Sequence, residues 1–237
     1  MPIRHRKNTN LIIESVLRRL LKEDGAPTTT EGLAAYVVIN SSINIVVYKY
    51  AALNLCLKKN YFNAKAIEES IVAFISLESA RSLGVGPSRD GWVVKSSVGP
   101  GYGQLIYGLA YAASPSGIIV PDRDYVSDSA FSSWTKAFAK GRHEPLDDID
   151  NPQTPDPNDD SKFHTKTDID CKKGRDPKVL NYAYHGEGWE KEMLRSLSSK
   201  HDSMIKSIDS LYITKAEIER VLLSGGNSYF LDTIYKL

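Results

Sequence analysis

WVVKSSVGPGYGQLIYGLAYAASPSGIIVPDR, residues 92–123, decides how this chain folds. Val93, Val94 and Val98 belong to an extended run, because β-branched side chains suit a pleated, buried strand. Gly99-Pro100-Gly101-Tyr102-Gly103 breaks that run: glycine admits positive φ, and Pro100 has a fixed φ and no amide donor. Gln104 to Ala113 follows with helical spacing, placing Leu105, Ile106, Leu109 and Ala113 on one face. Ser114-Pro115-Ser116-Gly117 stops the helix, and Ile118-Ile119-Val120 supplies a second short apolar strand. The unit predicts two neighbouring, roughly parallel strands, a right-handed crossover, and a helix that begins within residues 101–105.

A strand feeding a glycine turn at a helix start makes an anion site. The first helical amides lack intrahelical acceptors, the helix dipole is positive there, and glycines let a phosphate approach the backbone. Two common phosphate loops do not fit. A P-loop needs Lys and Ser or Thr after its last glycine, where Gln104 and Leu105 stand. A dinucleotide fingerprint would put its third glycine at Gln104, and no acidic ribose ligand follows in the expected context.

GPGYGQLIYGLAYA resembles the pyrophosphate loop of the GNAT acyltransferase superfamily, [QR]-x-x-G-x-[GA], with Gly101 and Gly103 at the two small positions and Val98 where Gln or Arg leads. GYGQLIYGLAYA, PDRDYVSDSAFSSW, PLDDID and LNYAY, in that order, are also similar to a group of tailed-phage proteins with a GNAT-like core. The resemblance implies an α/β (α+β) fold: a mixed, mainly antiparallel sheet flanked by helices, whose two central strands splay past the glycine turn. It implies acetyl-CoA as cofactor, held around Val98, Gly99, Gly101, Tyr102, Gly103 and Gln104, with the pantetheine arm along Ser96-Ser97-Val98.

The activity implied is acetyl transfer to an amine, which needs a base, a polarised carbonyl and a proton donor for the leaving thiolate. GNAT enzymes often use a Glu as base and a Tyr on the helix after the second strand as acid. Here Glu78 is the candidate base, Tyr125 the nearest tyrosine, and Ser133 a polar group on that helix. Asp122, Arg123 and Ser127 follow the second strand, where open α/β folds place ligands, and are the candidate substrate residues. The alternative implied is a catalytically inactive GNAT-like virion or assembly protein, docked on phage structural proteins through residues 1–24.

Composition narrows the classes. Lys plus Arg total 30 against 29 Asp plus Glu, a net charge of +1, so the basic excess of a general nucleic-acid binder is missing. Cys56 and Cys171 make no disulfide framework, and no apolar run reaches the ~20 residues that span a bilayer. The start MPIRHRKNTNLIIESVL is basic without a long apolar stretch or cleavage site. A protein of the host-cell cytoplasm, or one packaged in a virion, is expected. His143, His164, Cys171 and His185 match no common zinc spacing, and the aspartates around 147–160 lack calcium-loop spacing, so no metal is expected.

Elsewhere the pattern gives a basic amphipathic helix over 1–24, a core over 33–185 and a helical appendage over 186–237. Ala35–Ile39 and Ile43–Tyr48 read as a hairpin, and Ser70–Leu77 as a strand that Glu78–Leu83 either continues or leaves. Ala51–Lys59 reads equally as a helix or a strand. A helix capped by Ser127 or Asp128 runs to about Lys140, with Phe131, Trp134 and Phe138 in its buried stripe. Residues 147–178 read as a polar loop, and Val179–Tyr184 as a strand. In the tail, Thr214-Lys215-Ala216-Glu217 forms a capping box, and Gly225-Gly226 is read as an interruption before a last short helix.

Overall fold

The structure, a computed structural model, describes residues 30–51, 63–80, 90–121, 126, 128–145, 179–180, 182–207 and 214–234. Its centre is a seven-stranded sheet in the order β1-β2-β3-β4-β5-β7-β6. The strands are β1 (Leu33–Ile39), β2 (Ser42–Lys49), β3 (Ile71–Ser79), β4 (Trp92–Val98), β5 (Ile118–Val120), β6 (His143–Pro145) and β7 (Tyr182–His185). Every pair is antiparallel except β4 with β5, which is parallel. Among the described residues five helices flank the sheet: α1 (Ala64–Glu68), α2 (Gly103–Ala113), α3 (Asp128–Ala139), α4 (Trp189–Lys206) and α5 (Lys215–Ile234). This is the mixed, mainly antiparallel α+β architecture expected from the sequence, with the parallel pair and the α2 start where the central stretch put them. Among the described residues, no helix is long and apolar enough to cross a membrane.

Strand periodicity sorts the side chains into two layers. On β2, Ile43, Ile45 and Val47 join the core beneath α2, α3 and the first half of α4. Val46 and Tyr48 point the other way, toward Ile67 of α1, Met204 and Ile205 of α4, and Ile218 and Leu222 of α5. Helix α4 packs along edge strand β1 and so contributes to both layers. At that edge His201 is buried, accepting or donating at 2.8 Å from Nδ1 to the Tyr48 hydroxyl. Burial pushes the Tyr48 phenol well above its ordinary value and His201 below its own. The Glu219 carboxylate, 3.7 Å from Nε2, favours the imidazole proton on that nitrogen, which leaves Nδ1 to accept from the protonated phenol.

The glycine pair of the tail does not interrupt its helix. α5 runs unbroken through Gly225 and Gly226. A Cβ on Gly225 would lie 2.9 Å from Ile71 Cδ1, and one on Gly226 2.8 Å from Phe74 and 3.1 Å from Val46. The missing side chains let α5 sit directly on β2 and β3, and that close approach outweighs glycine's low helix propensity. The capping box ahead of it forms: Glu217 N–H donates to Thr214 Oγ1 at 3.2 Å, and Thr214 N–H donates to Glu217 Oε2 at 2.8 Å. The strand expected to reach Leu77 extends to Ser79, while the one expected from Val179 begins at Tyr182, with Val179 and Leu180 in a short turn of helix. The expectations for residues 1–24, 147–178 and most of 51–59 lie outside the described residues.

Candidate functional site

β4 and β5 pair at two positions only, Trp92 with Ile119 and Val93 with Val120. Just beyond them, β4's register on β3 jumps from Leu77↔Val94 to Ser76↔Ser96, which leaves Lys95 as an extra residue. Such a bulge bends its strand and sharpens the local twist. It stands where pairing with β5 stops, and β4 carries on to Val98 bonded to β3 alone among the described strands.

The turn that follows is chemically specified. Tyr102 N–H donates to Gly99 O at 2.7 Å, with Pro100 second in the turn and Gly101 third at φ 76°. This is a type II turn, whose third position requires positive φ. Gly99 is small for another reason: a Cβ there would lie 2.7 Å from Ala73 Cβ, so the turn is pressed against β3. α2 then starts at Gly103, and Tyr102 before it supplies no side-chain cap. The first amides of α2 are left without intrahelical acceptors, at the positive end of the helix dipole.

That uncapped end opens into a cavity of about 310 Å³ between α2 and α3. One wall is a stripe of α2, made by Gly103, Gln104, Tyr107, Gly108 and Tyr111; the other is a stripe of α3, from Ser132 and Ser133 through Lys136 to Lys140. Both stripes follow the i, i+4 rule for one helix face. Gly103 and Gly108 keep the first wall thin: a Cβ on Gly103 would come 3.6 Å from Ser133 Oγ, and one on Gly108 2.9 Å from Met193 Cε. The outer end carries the first α2 amides at the positive end of the helix dipole, with Lys136 one turn further along α3.

The inner end differs in character. Trp189 and Glu190, at the start of α4, and Arg142, just before β6, close it. Arg142 reaches Glu187 at 3.2 Å and Glu190 at 3.5 Å. Glu190 is 2% exposed, and its Oε1 also accepts the Glu187 N–H at 3.0 Å. Its Oε2 has no hydrogen-bond partner among the described residues. Burial pushes the Tyr107 phenol up to about 12, and raises Tyr111 further, so both remain neutral hydroxyls at physiological pH. Tyr107 hydroxyl lies 3.2 Å from Ser97 Oγ on β4. Trp134, fully buried, meets Tyr107 edge-on with centroids 5.0 Å apart and lies 4.9 Å from the Tyr184 ring of β7.

Of the residues expected from the sequence to form the site, Gly101, Gly103, Gln104 and Ser133 come together on this cavity. Val98 packs instead against the α5-side core, and Gly99 supports the turn from outside the lining. The Tyr102 amide, expected to face a phosphate, is already engaged by Gly99 O. Glu78 is exposed and stands opposite Val93 on β3. The glycine turn follows Val98, five residues along β4 and so about 16 Å from that level at roughly 3.3 Å per residue. Asp122, Arg123, Tyr125 and Ser127 lie outside the described residues. Glu190, Arg142, Lys136 and Lys140 were not singled out from the sequence. The helical repeat on α3 would have flagged the lysines once the two helices were known to face each other. Among the described residues no group of three His, Cys, Asp or Glu side chains is placed to hold a metal ion.

No protein-family model matches the chain, and no curated protein or solved structure is significantly similar to it.

Proposed function

We propose that the chain is a GNAT-like protein that binds acetyl-CoA at the α2 end of the α2–α3 groove and transfers its acetyl group to an amine. The observation that carries this reading is the uncapped start of α2 opening, behind a type II glycine turn, into a ligand-sized cavity. The parallel β4–β5 pair, with a bulge at Lys95 just past its last paired residue, supports it, because the loop resemblance leads one to expect a parallel central pair that splays beyond this level.

The amides of Gly103 and Gln104 hold the pyrophosphate in this reading, with Lys136 adding positive charge across the groove. Attack by a neutral amine on the thioester carbonyl forms a C–N bond and breaks the C–S bond. The amine loses one proton and the departing thiolate gains one. The Tyr107 hydroxyl, neutral through burial, is the available donor toward the thiolate, and Ser133 the nearest polar group on α3.

One observation favours the second reading, an inactive GNAT-like virion or assembly protein. Trp134 fills the space between Tyr107 of α2 and Tyr184 of β7, where a bound arm would need room. Incubation with acetyl-CoA and a panel of amines, following free thiol release, separates the two. Amine-dependent thiol release supports the transferase. CoA binding without release leaves the ligand site and removes the chemistry.

A further inference from the structure

The inner end of the groove is unlike the outer one. Along α2, Gly103 and Tyr111 are eight residues apart, which places the Tyr111 end about 12 Å from the anion-binding end at about 1.5 Å rise per residue. There two carboxylates gather. Glu187 and Glu190 both meet the guanidinium of Arg142, and Lys140, two residues before it, lines the same cavity. Glu190 is buried to 2% exposure, and its Oε2 is unpartnered among the described residues. A buried carboxylate oxygen without a donor is costly, and in a native protein such a group calls for a functional reason.

The surroundings define what would relieve it. Gly186 and Gly108 let the backbone close tightly on this end: a Cβ on Gly186 would stand 2.9 Å from Tyr111 Cβ and 3.4 Å from Oε2, and one on Gly108 2.9 Å from Met193 Cε and 3.4 Å from the Glu190 stem. The walls are aromatic, from Tyr111 and Trp189. Aromatic faces attract a cation and accommodate an apolar body, whereas a second anion would meet a carboxylate oxygen that has no donor among the described residues.

We propose that this inner end is a subsite for a primary amine carried on an aromatic or apolar body, bound as the ammonium through Glu190 Oε2 beside Trp189 and Tyr111. The identification of the amine as the acetyl acceptor rests on the transferase reading above; the binding of the amine does not. The groove then holds oppositely charged groups at its two ends, phosphate at the α2 start and ammonium at the α4 start.

The test uses 2-phenylethylamine as probe and 2-phenylethanol as its uncharged counterpart, titrated calorimetrically into the full chain, with CoA titrated in parallel. The amine is expected to bind at least tenfold more tightly than the alcohol. Glu190→Gln, which keeps the shape and the acceptor on the Glu187 amide, is expected to erase that preference while leaving CoA affinity unchanged. Trp189→Leu, a second variant, is expected to weaken amine and alcohol alike. Failure of the amine to bind at millimolar concentration, equal affinity for amine and alcohol, or an unchanged preference in folded Glu190→Gln would each overturn the subsite. CoA binding without amine binding sinks this subsite alone. Amine binding without CoA binding sinks the acyl-CoA reading and leaves the subsite standing.

Discussion

β1, β2 and β3 are paired along nearly their whole lengths, whereas β4 and β5 share two residue pairs. Both regions are built from short runs of β-branched residues. They differ in what covers them. The meander is packed on both faces, by α2 and α4 on one and α5 on the other, and Val46, Phe74, Ile75 and Leu77 have no exposed surface. At the β4–β5 junction the pairing among the described residues covers two positions, β4 carries a bulge at Lys95, and a cavity lies between α2 and α3. Buried packing is concentrated in the first region and the cavity lies in the second, a division expected where a site is carried on a rigid scaffold.

Substitutions break this division from the stable side first. Phe74→Ala removes a fully buried ring that contacts α5 across the sheet, and should cost about 3–5 kcal/mol in urea unfolding. Because the ring lies on the face away from the groove, the surviving folded fraction should bind ligand as before. Gly226→Ala on the same face inserts a methyl 2.8 Å from that ring and should cost about 1–3 kcal/mol, although alanine is the better helix former. A stabilised Gly226→Ala protein would show that α5 can move off the sheet.

On the open side, two neighbouring glycines should respond differently. Gly101→Ala meets no atom but forces a side chain onto φ 76°, so it should lose roughly 1–2 kcal/mol in the same unfolding experiment. Gly103 is helical without positive φ, and its Cβ direction is filled only by Ser133 Oγ at 3.6 Å. Gly103→Val should therefore leave stability within about 0.5 kcal/mol. Equal losses at the two positions would mean that the turn and the helix start are strained together.

The smallest effect is in pH. Burial lowers the His201 pKa below the ordinary 6.5, against the opposing pull of Glu219 and Asp202. Below 6.5 the unfolded chain takes up a proton more readily than the folded one. The stability is thus fully present above that value and is lost as pH falls through the lowered folded value. His201→Gln should flatten this part of the stability profile. An unchanged slope would assign the loss to other groups.

Much of this division was legible in the sequence, for local reasons. Alternating β-branched residues, the glycine–proline turn and the Thr214–Glu217 box each determine their structure within a few residues. The β6 strand, three residues long, has no room for a period. Gly225-Gly226 carried the right residues with the wrong sign: the same pair ends a helix in solvent and lets one lie flat on a sheet. The charged inner end of the groove was out of reach for a different reason. Arg142 and Glu190 are 48 residues apart, and only the folded sheet, by pairing β6 with β7, brings them together.

The most direct measurement is a calorimetric titration of CoA into the wild-type protein and into Gly103→Val, with unfolding curves recorded on both. The wild type should bind CoA, and Gly103→Val, equally stable, should lose that binding at least tenfold because its branched side chain occupies the approach to the first amides of α2. Undiminished CoA affinity in a folded Gly103→Val protein, or no binding by the wild type, would contradict a phosphate site at the start of α2.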